Sequence, residues 1–90
     1  MEIIKDGGYI EKLQSILIYI ANDKPSAAIE FESQLEKKIT SLLENPFMYR
    51  KSIYFNNDSY RDLIHQGYTI IYKIENETIM ILDIFKWQDR

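Results

Sequence analysis

The chain has 90 residues, 46% of them hydrophobic, with no cysteine and a net charge of −3 from 11 basic and 14 acidic side chains. That length closes one domain, residues 1–90, around a single core, near the lower limit for doing so without a staple, and predicts a marginal monomer. Lacking cysteine, it has no disulfide or thiolate metal site, which fits a reducing compartment, and no apolar run nears the roughly 20 residues that span a bilayer. The N-terminus lacks the basic and apolar regions of a signal peptide, so the expectation is a soluble cytoplasmic protein with no membrane partner, no metal and no cofactor. An acidic balance also disfavours direct nucleic-acid binding, whose affinity comes from releasing counterions with lysine and arginine. Residues 1–45 hold 5 basic and 8 acidic groups and residues 46–90 hold 6 of each, so the second half is neutral, not basic.

Ile3 and Ile4 form a short first strand, which Asp6, Gly7 and Gly8 break. From Tyr9 the spacing turns helical: Leu13, Ile16, Leu17 and Ile20 fall at i, i+3, i+4 and i+7, one buried stripe. Asn22, Asp23, Lys24 and Pro25 stop that helix. Pro25 suits the first turn of a second helix, with Asp23 or Ser26 placed to cap it. Ala28, Phe31, Leu35, Ile39 and Leu42 then mark about five turns, ending at Asn45 and Pro46. The short connection makes the two helices antiparallel.

Residues 47–57 read as irregular, and Asn56, Asn57 and Asp58 as a turn. Three strands follow: Ser59 to His65, Tyr68 to Glu75 and Thr78 to Trp87. In the second, Tyr68, Ile70, Tyr72 and Ile74 take the core face, and Thr69, Ile71, Lys73 and Glu75 the other. In the third, both registers are apolar through Ile79, Met80, Ile81, Leu82 and Ile84, as for a central strand. Gln66 and Gly67 allow a tight hairpin, and Asn76 allows another. The predicted fold is α+β: a helical hairpin packed on a small, mainly antiparallel sheet in the order β-α-α-β-β-β.

Several segments in this order resemble the RelE/ParE superfamily of bacterial toxins. They are Tyr19-Ile20-Ala21 before a proline, Ala27-Ala28, Leu42-Leu43-Glu44-Asn45-Pro46, Tyr60-Arg61-Asp62-Leu63-Ile64, Gly67-Tyr68-Thr69-Ile70-Ile71-Tyr72 and Ile79-Met80-Ile81-Leu82-Asp83-Ile84. The resemblance covers nearly the whole chain. It implies the toxin of a type II toxin-antitoxin (plasmid stabilisation) pair, silenced by a cognate antitoxin, as a homodimer or a toxin-antitoxin hetero-oligomer. RelE-like members cut messenger RNA at the ribosome with cations and tyrosine on the sheet and tail; ParE-like members poison DNA gyrase and lack that set.

The departures from the nuclease pattern favour the ParE-like reading. Thr69 stands where many members carry arginine, and the tail Phe85-Lys86-Trp87-Gln88-Asp89-Arg90 replaces a histidine followed by arginines. RNA cleavage needs a base, a donor to the leaving oxygen and cations at the scissile phosphate. The residues available for an alternative nuclease site are Arg61, Lys73, Lys86 and Arg90, with Tyr72 and His65. Tyr72 and Lys73, however, point to opposite faces of one strand. His65 beside Gln66 and Gly67 reads as an exposed turn residue. Arg61, Lys86, Trp87 and Arg90 are the expected target-binding residues, with Trp87 as an aromatic contact near the terminus. Tyr49, Arg50, Lys51, Tyr54 and Phe55 interleave aromatic and basic side chains in a loop whose small charge suits a protein partner better than nucleic acid.

Overall fold

The computed structural model describes residues 1–86; Trp87 and Arg90 lie outside the described residues. The elements run β1 (Glu2–Lys5), α1 (Gly7–Asp23), α2 (Pro25–Ser41), β2 (Arg50–Lys51), β3 (Tyr60–His65), β4 (Tyr68–Glu75) and β5 (Thr78–Lys86). The strands form one sheet in the order β1-β5-β4-β3-β2, antiparallel except that β1 runs parallel to β5. The fold is α+β, as expected, with two additions: the first strand joins the far end of the chain, and a two-residue strand lies in the segment read as irregular.

Gly7 and Gly8 do not break the chain; they form the first turn of α1. Asp6, in extended conformation at φ −65° and ψ 144°, accepts from the Gly8 N–H at 2.8 Å and caps the helix. A side-chain cap satisfies one of the amide donors that a helix start leaves open. The stripe then runs back one step further than predicted, because Tyr9 is fully buried four residues before Leu13. At α2, Pro25 occupies the first turn, but neither Asp23 nor Ser26 is the cap; that position falls to Lys24, which makes no side-chain cap bond. α2 ends at Ser41, and Leu42 to Glu44 form a closing turn.

The helices cover one face of the sheet. Phe31, Leu35, Ile39 and Leu42 from α2 and its closing turn meet Leu63, Ile70, Tyr72, Ile79, Ile81 and Ile84 in one cluster, sealed by Tyr9, Leu13 and Tyr68. Burying each such side chain contributes about 1.5–3 kcal/mol, and truncating Leu35 to alanine costs about 2–5 kcal/mol. A bulge settles the ambiguous register of β5: Ile71 pairs with Asp83 and Tyr72 with Ile81, leaving Leu82 as the extra residue. Strict alternation from Ile79 and Ile81 would send Asp83 into the core; the bulge substitutes Ile84, which is buried.

The opposite face of the sheet is also covered in part. Thr69 and Ile71, expected away from the core, are buried. The turn at Gln66 and Gly67 has φ of 49° and 84°, the left-handed pair that a two-residue hairpin favours.

Candidate target-binding site

The predicted site residues separate once placed on the sheet. Arg61 pairs with Tyr72, and Tyr60 with Lys73, so Arg61 and Tyr72 share the helix-covered face while Lys73 lies on the other. Lys86 pairs with Tyr68, at the opposite end of β4 from Lys73. Four residues of strand and two strand spacings put Arg61 and Lys86 about 16 Å apart in backbone position. Such a span fits inside one protein interface but is too wide for one scissile phosphate.

Each cation has a local partner. Arg61 donates from Nε to the Asp58 carbonyl at 3.1 Å and from Nη1 to the Tyr49 carbonyl at 3.2 Å. Its guanidinium sits 4.9 Å from the centre of the Phe47 ring. Lys73 pairs with Glu75 at 3.0 Å and lies 5.2 Å from the Tyr60 ring centre, and the carboxylate beside it raises its pKa. Lys86 is exposed, 6.0 Å from the Tyr68 ring centre.

His65 is a correction to the sequence reading. It is 1% exposed, its Nε2–H donates to the Phe31 carbonyl at 3.1 Å, and its ring meets the Phe31 ring edge-on at 4.6 Å. Burial lowers its pKa, so near neutral pH it is an uncharged core residue. Two positions before Gly67, it still falls within β3, whose alternation places it on the core side with Leu63. Tyr72 is likewise structural: its hydroxyl donates to the Pro46 carbonyl at 2.7 Å, and burial pushes its pKa up to about 12.

The sequence reading missed Asp62, which is 1% exposed. Its Oδ2 accepts from the Ile53 N–H at 3.1 Å and pairs with Arg50 at 3.3 Å, tying the loop after β2 to the sheet. That loop lies on the face away from the helices, with Tyr54 edge-on to Phe85 at 5.3 Å and Phe55 stacked on Tyr60 at 4.2 Å. The signal was present: a carboxylate in a strand beside two basic residues in the preceding segment.

An apolar groove of about 400 Å³ opens between α1 and the end of β5, lined by Ile16, Tyr19, Tyr68, Ile84 and Phe85 with Lys12 and Lys86 at its rim. Beyond Ile81, where the pairing with β1 stops, β5 has no neighbouring strand on that edge among the described residues. Exposed Ile18, Tyr19 and Ile29 continue the apolar surface over the hairpin. No described helix is long and apolar enough to cross a membrane.

Comparison with curated proteins gave no match. Among solved structures, one described as the chromosomal ParDE TA system from P. aeruginosa has a similar fold, with a TM-score of 0.76 at 18% identity over 96% of this chain and 95% of that one. The family model described as ParE toxin of type II toxin-antitoxin system, parDE, matches residues 8–89. That match takes in nearly all of both helices and the four later strands, and the chain therefore belongs to the ParE family of type II toxins.

Proposed function

We propose that this toxin acts by binding DNA gyrase, not by chemistry of its own, and that a cognate antitoxin holds it silent. The observation that carries the reading is the dispersal of its cations. Arg61 is committed to two loop carbonyls, Lys73 is paired on the opposite face, and Lys86 stands at the far end of the sheet. Phosphoryl-transfer chemistry on RNA requires such charges to converge where the transition state builds negative charge. A protein interface makes no such demand, and Arg61, Lys86, Trp87 and Arg90 are its proposed contacts.

The antitoxin would lay an amphipathic segment in the groove beside Tyr19 and add a strand to the open edge of β5. Occupying that edge would also remove a site for unwanted strand pairing.

Purified protein in a supercoiling assay tests the target. Dose-dependent loss of gyrase activity, relieved by the antitoxin, is the expected result; full activity at saturating toxin would reject gyrase. Codon-positioned transcript cuts during translation, lost when Lys86 becomes alanine, would instead establish the ribosome-dependent nuclease. Harmless expression without antitoxin would identify a relic that only binds its partner.

A further inference from the structure

The segment from Pro46 to Arg61 carries an unusual combination of tight anchoring and outward-facing apolar side chains. Its backbone is held at Pro46 by Tyr72, at Tyr49 and Asp58 by Arg61, and at Ile53 by buried Asp62. The Ser52 N–H also donates to the Tyr60 carbonyl at 2.8 Å. A connection with no role beyond linking two elements exposes polar side chains to water. Here Phe47, Met48, Ile53 and Phe55 are instead 56%, 49%, 59% and 38% exposed.

Two of these side chains flank one corner of the sheet. Phe47 packs against Arg61 on one face, and Phe55 stacks on the adjacent Tyr60 on the other, so two rings bracket consecutive residues of β3. β2 forms the outer edge between them, presenting Arg50 and Lys51. Residues 46–62 hold three basic groups and two acidic, Lys51 pairing with Asp58 at 2.8 Å and Arg50 with Asp62 at 3.3 Å, so the corner keeps a small positive excess, within a chain of net charge −3. The two carbonyls that Arg61 bonds are neutral, so they orient its charge without cancelling it. Aromatic rings, methionine and arginine on a well-anchored edge segment are the composition and preorganisation of a binding hot spot.

We infer that this corner, centred on Phe47, Lys51 and Arg61, is the surface that docks on an acidic, apolar-lined site of the toxin's target protein. Its exposed apolar side chains call for an apolar site, and its positive excess calls for carboxylates around that site. The inference rests on the gyrase reading for the identity of the target and lies apart from the groove assigned to the antitoxin.

The test compares the full-length toxin with its Phe47→Ser and Lys51→Glu variants in gyrase supercoiling and in growth arrest on induction. Lys37→Glu, an equal charge change on exposed α2, is the control. Each corner variant should need at least about thirtyfold more protein for half-inhibition, the loss that marks a hot spot, while Lys37→Glu stays within about twofold. Matching urea midpoints establish that each variant folds; if Phe47→Ser does not, Lys51→Glu decides. Undiminished inhibition by the folded variants overturns the inference and leaves the gyrase reading standing. A wild-type chain that spares gyrase yet arrests growth rejects gyrase alone, and the loss or retention of arrest in the variants then decides the corner. Wild type without either effect overturns both.

Discussion

The Tyr72 hydroxyl and the Pro46 carbonyl meet at 2.7 Å, joining the central strand to the residue where the chain leaves the helical layer. Replacing Tyr72 with phenylalanine keeps the ring and removes the bond, at a cost of about 1 kcal/mol. Burial of the hydroxyl also predicts a pH dependence. The folded pKa of about 12 lies above the ordinary value of 10.0, so this contribution is complete below pH 10 and lost as pH rises toward 12. Urea unfolding across that window should show a shallower alkaline decline in Tyr72→Phe than in wild type.

His65 predicts the opposite slope. Burial holds its pKa below the ordinary 6.5, so the folded state favours neutral imidazole. Stability is complete above pH 6.5 and falls as pH drops through the folded value. Denaturant midpoints at pH 7.5 and 5.5 should differ less in His65→Leu than in wild type. At pH 7.5 the variant loses the bond to Phe31, at a cost of about 1–2 kcal/mol.

The paired glycines at the start of α1 should respond differently to alanine. A Cβ at Gly7 meets nothing within 4 Å, whereas one at Gly8 lies 3.0 Å from Oδ2 of Asp6, the capping atom. Gly7→Ala should stabilise the protein by about 0.5–1 kcal/mol through its helix propensity and the reduced freedom of the unfolded chain. Gly8→Ala should forfeit that gain and weaken the cap, for a net loss of about 0.5–1 kcal/mol. Thermal melts of the two single variants give the comparison.

Lys24 holds the N-cap of α2 in an extended conformation, φ −152° and ψ 103°, without a side-chain bond to the helix. Because Lys24 is also the C-cap of α1, where a carboxylate is disfavoured, the neutral acceptor of Lys24→Ser is the better cap and should add about 0.5–1 kcal/mol. Chemical denaturation at neutral pH measures it.

Patterns with a regular period were legible from sequence. The α2 stripe from Ala28 to Leu42 is buried at every predicted position, and β4 spans Tyr68 to Glu75 as read. What escaped depended on contacts between distant residues. Nothing near Ile3 tells that its neighbour is Ile79, and a two-residue strand such as Arg50–Lys51 is too short to show alternation. Ile71 and Thr69 looked solvent-facing because their cover comes from the other side of the sheet. The Asp6 cap was hidden by two glycines, whose local preference is for a turn until a side chain stabilises the helix start. For the candidate site, strand alternation alone separated Tyr72 from Lys73; the commitment of Arg61 to loop carbonyls required the tertiary structure.

The parallel union of Glu2–Lys5 with Thr78–Ile81 has a consequence for biosynthesis. Because synthesis runs from β1 toward β5, Glu2–Lys5 must wait for Thr78–Ile81 before its hydrogen-bonding partners exist, and α1 begins immediately beyond that waiting strand. Closure is therefore a late, non-local event in the maturation of each new polypeptide. Until Thr78–Ile81 has been made, β1 is an unpaired strand, open to pairing with whatever edge it meets first.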